Sequence, residues 1–311
     1  MTRDVPPAEF DIDGSLVAEL IASQHQDLAH LPLTFLASGW DNDIYRLGDE
    51  LLVRLPRRQF GADLIHMEQR WLPELARGLP LDVPEPLRHG TPQGDYPWPW
   101  SICRYFPGNS ALDYSFGAGE IDFESAAMSL ASFCSAMHKP APASAPANEY
   151  RGVPLSDRSA LTMGYLAEVE DLVGVSTLVD IWNNAVSVPP WDGPPLWIHG
   201  DLHPGNLIVD RAGEITAVID FGDLTSGDPA TDIAVAWMLF PDNYRSKFRD
   251  LLIDQGMLPG TWERARGWAL AIGVTVLAHS SRSPVYFDLG VRTLRAVQSD
   301  EGDLVGIEDF M

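Results

Sequence analysis

The stretch Ile198-His199-Gly200-Asp201-Leu202-His203-Pro204-Gly205-Asn206-Leu207-Ile208, followed by Val218-Ile219-Asp220-Phe221-Gly222-Asp223, decides how this chain is read. Short apolar runs flank each polar run, so Asp201, Asn206 and Asp220 fall at the ends of short strands. In such loops a carboxylate is held rigidly and still meets solvent. An Asp so placed can accept a hydroxyl proton. An Asn oxygen and a second carboxylate suit magnesium, a hard cation that takes oxygen ligands. Moving a phosphoryl group asks for an aligned hydroxyl, a proton acceptor and positive charge over the phosphates. The spacing therefore implies phosphoryl transfer to an alcohol, with Asp201 as catalytic base and Asn206 and Asp220 as ligands of Mg2+.

Each residue alone has an ordinary reading. An Asp in a His-Gly-Asp turn commonly bonds its own backbone, and an Asn before a strand is unremarkable; the combination is what points to chemistry. His199, Asp201 and His203 also alternate as zinc or metal-pair ligands could. Such a site needs more ligands, and His25, His30, His66, His89, His138 and His279 fall in no matching cluster. His199 reads as a residue that orders the loop, and His203 carries no assigned role.

Together with Gly227-Asp228-Pro229-Ala230-Thr231-Asp232-Ile233-Ala234, these motifs resemble those of the aminoglycoside phosphotransferase family, antibiotic-modifying kinases with a protein-kinase-like fold. Ser38-Gly39-Trp40-Asp41-Asn42, Leu52-Val53-Arg54-Leu55-Pro56-Arg57 and Tyr96-Pro97-Trp98-Pro99-Trp100 extend the resemblance, which covers roughly residues 33–298. It implies an α+β, two-lobed architecture: a small antiparallel-sheet N-lobe and a larger, mainly helical C-lobe. It implies ATP or GTP as phosphoryl donor and makes Asp232 a brace for the catalytic loop. The acceptor it implies is an aminoglycoside-like antibiotic, with a macrolide or a small metabolite as alternatives. A nucleotide-binding pseudokinase is a third possibility, against which all three expected catalytic and metal residues are present.

The rest of the chain reads accordingly. Residues 33–38, 44–47, 51–55, 84–90 and 98–105 have strand character. Residues 61–77 have helical spacing, with Ile65, Glu68, Leu72 and Leu75 on one stripe and Pro73 expected to kink or end the helix. The first hundred residues thus predict a small sheet with one helix. Helices are expected at 121–138, 157–172 and 177–186, then strands at 196–199, 206–209 and 215–219. Four more helices follow at 229–240, 242–255, 262–280 and 283–298. The division falls near 103–108, giving a nucleotide-binding part at 1–105 and a catalytic, substrate-binding part at 106–311.

The chain has two lysines, Lys139 and Lys247, so a phosphate-gripping cation in its N-terminal third must be arginine. Arg54 lies on the strand where kinases place a lysine, and Glu68 lies on an apolar helical stripe where a carboxylate is costly unless paired. An Arg54–Glu68 pair satisfies both. The loop at Ser38, Gly39 and Asn42 stands where a glycine-rich loop would cover phosphates, with Ser38 offering its hydroxyl. The segment through Arg104 and Phe106 is where the resemblance implies backbone bonds to a purine.

Composition bounds the partners. A formal net charge of −23 argues against nucleic acid and favours either a cationic partner or simple solubility. Glu168, Glu170, Asp171 and Asp180, with Asp228, are candidate contacts for a cationic acceptor, whereas Trp182, Trp191 and Trp197 would suit a bulky apolar one. No apolar run approaches the ~20 residues of a membrane span. Two cysteines form neither a disulfide framework nor a zinc site, and the first residues lack a leader's pattern, so the expectation is a cytoplasmic monomer or homodimer. The acidic residues from Glu301 on are expected to fray or fold over the cleft.

Overall fold

A computed structural model describes residues 7–114, 117, 119–280 and 283–300 of the 311-residue chain. The acidic segment from Glu301 lies outside the described residues.

The N-terminal part is a five-stranded antiparallel sheet in the order β1-β2-β3-β5-β4: β1 (Leu33–Ser38), β2 (Asn42–Leu47), β3 (Leu51–Pro56), β4 (Pro86–Gly90) and β5 (Trp100–Arg104). Strand alternation sends Val53 and Leu55 of β3 into a small core with Tyr45, Leu47, Tyr96, Trp100 and Ile102. Arg54, between them, takes the opposite face.

Two helices accompany the sheet. α1 (Gly14–Gln24) was not anticipated. Asp13 caps it by accepting from the Leu16 N–H at 2.8 Å, and Val17, Leu20 and Ile21 seal one edge of the small core. α2 (Gln59–Ala76) carries Glu68 and Leu72 on its buried stripe. It runs three residues past Pro73 rather than stopping there. A proline this near the C-terminal end removes one internal bond, and the neighbouring Leu72 is fully buried in the larger core.

The C-terminal part is mainly helical. After β6 (Asn109–Ser110) and the single turn α3 (Ala111–Asp113) come α4 (Phe123–Met137), α5 (Ser159–Glu168) and α6 (Val175–Ser187). The segment before α5, expected as helix from 157, is a 3₁₀ turn at Leu155–Arg158. β7 (Leu196–Ile198), β8 (Leu207–Val209), β9 (Ile215–Val218) and β10 (Thr225–Gly227) form two small ribbons, β6-β8-β9 and β10-β7. The run expected as one helix at 229–240 breaks at Ala234 into α7 (Ala230–Ile233) and α8 (Val235–Leu239). α9 (Asp242–Asp254), α10 (Thr261–His279) and α11 (Pro284–Ser299) follow, the last of the described elements. α10 is the axis of this part: Ala265, Trp268, Ala269, Leu270 and Val274 are buried along it. Trp182 and Trp197 are core residues as well, not faces for an apolar ligand.

Candidate active site

The β8–β9 hairpin brings the sequence motif together. Leu207 pairs with Val218, so Asn206 at the start of β8 lies beside the end of β9 that leads into Asp220. The Ile219 N–H donates to the Asn206 carbonyl at 2.9 Å. The Asn206 side-chain NH2 donates to the Asp201 carbonyl at 2.9 Å and lies 3.4 Å from its carboxylate. That leaves the Asn206 amide oxygen without a partner among the described residues.

His199 ties the two loops from inside. It is fully buried, its Nδ1 accepts from the Asp201 N–H at 3.2 Å, and its Nε2 donates to the Ile219 carbonyl at 3.0 Å. Both ring nitrogens are committed, so His199 has none to give a metal. His203 Nδ1 is likewise taken, by the Gly205 N–H at 3.0 Å. Among the described residues no three His, Cys, Asp or Glu side chains cluster as metal ligands, which removes the zinc reading. A magnesium site of one amide oxygen, one carboxylate and nucleotide phosphates needs no such cluster.

The frame behind the loop is Asp232. It is fully buried and accepts from the His199 N–H at 2.8 Å and the Gly200 N–H at 2.9 Å, and His138 Nε2 lies 3.2 Å away. Gly200 has φ +86°, and a Cβ there would stand 2.3 Å from the Asp223 carbonyl oxygen, so only glycine lets the two loops approach this closely.

Asp201 is held on both sides, by a guanidinium and by an imidazole. One carboxylate oxygen lies 3.1 Å from Arg151 Nη2 and the other 3.4 Å from His203 Nε2. Burial alone would favour the protonated acid, but His203, then Arg151, overcome it and hold Asp201 well below the usual carboxylate range. The result is a fixed, ionised, partly exposed carboxylate. Asp220 is exposed and has φ +63°, the one positive φ at a non-glycine position among the described residues. Asp tolerates that region better than most side chains, yet the conformation is strained and is found where function requires it. Among the described residues its carboxylate accepts only a long 3.4 Å bond, from the Gly222 N–H. An orphan amide oxygen and an uncommitted carboxylate on adjoining segments fit a hard cation.

On the sheet side, Arg54 and Glu68 form a two-pronged ion pair, with Nη2 to Oε1 at 3.2 Å and a second bond from Nη1 to Oε2. Burial by itself would disfavour the guanidinium charge; Glu68 reverses this and keeps Arg54 protonated, with Asp220 close enough to add to the effect. Ser38 differs from expectation. It stands opposite Asp43 in the β1–β2 ladder and donates its hydroxyl to the Asp43 carboxylate at 2.6 Å, so that proton is not free for a phosphate. The Gly39 N–H closes the turn on the Asn42 carbonyl at 2.8 Å, and Arg57 and Arg58 clamp the loop through Gly39 and Asp41. Arg104 and Phe106 side chains line a separate cavity with Leu79, Asp82 and Glu85 that includes none of the motif residues.

On the acceptor side the expectations fare worse. Asp228 is buried and receives Arg264 in a fork, Nε to Oδ2 at 2.7 Å and Nη2 to Oδ1 at 3.2 Å, plus the Ala230 N–H. With its oxygens so engaged it belongs to the frame, not to a substrate contact. Glu168 and Asp171 are exposed around the α5–α6 connection and do not line the cavity beside Asp201. That cavity, about 170 Å³, is bounded by Arg151, Arg158, His203 and the α10 residues Trp268 and Ile272. Arg151, Arg158 and Tyr286, whose ring meets His203 edge-on at 6.2 Å, were absent from the sequence expectations. No spacing rule ties them to the motif.

With this geometry in hand, three comparisons bear on the chain. The family model described as phosphotransferase enzyme family matches residues 32–268. Protein YcbJ of Bacillus subtilis (strain 168) is 33% identical over 86 residues, a stretch that spans 27% of this chain and 28% of that protein. The GDP complex of wild-type aminoglycoside 2'-phosphotransferase-IIIa has a TM-score of 0.67 at 20% identity, covering 94% of this chain and 100% of that one. Macrolide 2'-phosphotransferase type I gives 0.61 at 20%, over 95% and 98%. The apoenzyme of macrolide 2'-phosphotransferase MphH from Brachybacterium faecium gives 0.58 at 18%, over 90% and 97%. At such identities the structural likeness is one of fold: an antiparallel-sheet N-lobe and a mainly helical C-lobe in the kinase manner.

Proposed function

This chain belongs to the phosphotransferase enzyme family, whose members are kinase-type enzymes, and on that premise we propose that it transfers the γ-phosphoryl group of ATP or GTP to a hydroxyl of a small molecule. Asp201 orients the acceptor hydroxyl and takes its proton. Asn206 and Asp220 hold magnesium, which when bound supplies positive charge over the phosphates. Arg54, fixed by Glu68, grips the phosphates from the sheet side, with a planar fork where a lysine would act as a point charge. The loop at residues 38–42 closes over them through its backbone, and the segment through Arg104 and Phe106 meets the purine through main-chain groups. The observation that carries this reading is the carboxylate of Asp201: ionised, fixed on both oxygens, and bonded by the same Asn206 that keeps an amide oxygen open.

An aminoglycoside-like acceptor is in keeping with the net charge and with solved neighbours named for aminoglycosides; a macrolide, with the neighbours named for macrolides. Against a polycation stand the two guanidiniums lining the cavity beside Asp201. Among the described residues no helix is long and apolar enough to cross a membrane. The test is nucleotide consumption with and without magnesium, against aminoglycosides, macrolides and small alcohols. Turnover that ignores magnesium, or persists in Asp201→Asn, contradicts the assignment.

A further inference from the structure

Three arginines are buried in this protein among the described residues: Arg158, Arg245 and Arg264. Arg264 is forked onto Asp228, and Arg245 lies 2.8 Å from Asp242 and 3.6 Å from Asp300. Arg158, 6% exposed at the end of the 3₁₀ turn before α5, has no carboxylate partner among the described residues. The ring of Tyr150 lies 5.3 Å from its guanidinium carbon, and the phenols of Tyr165 and Tyr150 offset its burial only in part. Burial disfavours its charge, and the like charge of Arg151 disfavours it further. The Nε atoms of both arginines are buried without a hydrogen-bond partner among the described residues.

A buried cation that lacks an anion is costly, and proteins ordinarily pair it. Here a guanidinium with no carboxylate partner among the described residues lines the same cavity as Asp201, with Arg151 between the two chemistries: it already neutralises Asp201 and still borders the space. Beyond the two arginines and Asp201, the cavity is lined by His203 and Thr275 and by the apolar α10 residues Trp268, Ala271, Ile272 and Val276. At about 170 Å³ the space is smaller than the roughly 300–1,000 Å³ of drug-sized pockets, which suits a compact molecule.

Resting on the phosphotransfer reading above, we propose that the acceptor is a small hydroxyl-bearing anion whose carboxylate or phosphate docks on Arg158, with Arg151 beside it, and thereby presents its hydroxyl to Asp201. The overall charge of −23 then belongs to the outer surface, and the acceptor seat is a local cationic exception to it. Arginine suits this role because its fork meets a planar or tetrahedral oxyanion with two parallel bonds.

The test uses the full chain and simple probes. Inorganic phosphate, acetate, glycerate and glycerol 3-phosphate are titrated against the melting temperature, with glycerol and kanamycin as neutral and polycationic controls. Binding to the folded state raises the melting temperature, so at least one anion should raise it, glycerol should not, and Arg158→Gln should abolish the shift. Comparing glycerate with glycerol 3-phosphate separates the two anion sources. With magnesium and ATP, an effective hydroxylated anion should accelerate ADP release. Arg158→Gln should then raise the acceptor KM about 10–100-fold while Arg158→Lys recovers part of it. Arg158→Met guards against a purely structural role: with no ion pair to lose among the described residues, the ligand-free variant should melt no lower than wild type. No shift with any of the four anions, a shift that survives Arg158→Gln, a lower melting point for Arg158→Met, or an effect confined to the nucleotide KM would each overturn the proposal. Magnesium-dependent nucleotide turnover by wild type, and its loss in Asp220→Asn, judges the phosphotransfer reading separately from the melting shifts.

Discussion

Asp228 and Asp232 are buried with protein donors on their carboxylate oxygens, whereas Asp201 and Asp220, shortly before them in the chain, stay within reach of solvent. Asp232 takes two backbone N–H groups and faces His138; Asp228 takes Arg264 and the Ala230 N–H. Asp220 accepts one long bond from a strained backbone, and Asp201 is steadied by Arg151 and His203 yet keeps 28% of its side chain exposed. The difference separates frame from chemistry. A carboxylate saturated by the protein fixes the loop; one left reachable can meet a proton or a cation. The same comparison distinguishes Arg264, saturated by Asp228, from Arg158, which is not.

If the division is right, changing the two kinds of aspartate damages different properties. The largest expected effect is on Asp201. Asp201→Asn should lower kcat by about 10²–10⁴-fold, the usual contribution of a general base, with the fold retained. Single-turnover rates check this, and near-native turnover would move Asp201 into the frame. Asp232→Ala should do the opposite, costing stability first. Two backbone N–H groups lose their acceptor inside the protein, at about 1–3 kcal/mol each, so a loss of roughly 2–6 kcal/mol is expected in denaturant unfolding. A variant as stable as wild type would mean that the catalytic loop is held elsewhere.

Arg54 tests the comparison on the sheet side, because it is both paired and within reach of the cleft. Arg54→Ala should weaken nucleotide binding by about 10–100-fold, the worth of a charged hydrogen-bonded contact. Arg54→Lys should recover only part, since an ammonium cannot reproduce the fork. Equal affinities in all three proteins would make Arg54 and Glu68 a structural pair.

The smallest expected effect concerns pH. Asp201 lies below the usual carboxylate range, so it stays ionised as pH falls through about 4, where an ordinary Asp gains its proton. Removing a cation weakens the charged form and raises the carboxylate's value. Arg151→Ala should therefore shift the acid limb of the kcat/KM profile to higher pH. An unmoved limb would show that another group controls it.

Where the sequence was legible, the reason is local. Asp201, Asn206 and Asp220 lie on one turn and one hairpin, so their spacing carries their geometry. The strand and helix periods around Arg54 and Glu68 placed both on facing surfaces for the same reason. What stayed hidden depends on distant partners. Arg151 reaches Asp201 across 50 residues and Arg264 reaches Asp228 across 36, distances over which no pattern constrains position. Asp228 therefore read as a free carboxylate when it is a saturated one. Ser38 was misread because only the register of the closed hairpin sets it opposite Asp43. α1 was overlooked because its signal is one capping Asp13 and three buried side chains, whose value appears only once the small core is assembled.

The most direct test of the central claim is nucleotide affinity with and without magnesium, in wild type and in Asp220→Ala. With Asn206 and Asp220 as the metal's protein ligands, magnesium should tighten nucleotide binding in wild type and lose most of that enhancement in the variant. Binding without magnesium should be affected far less. Full magnesium enhancement in Asp220→Ala would contradict the account and place the metal away from the β8–β9 hairpin.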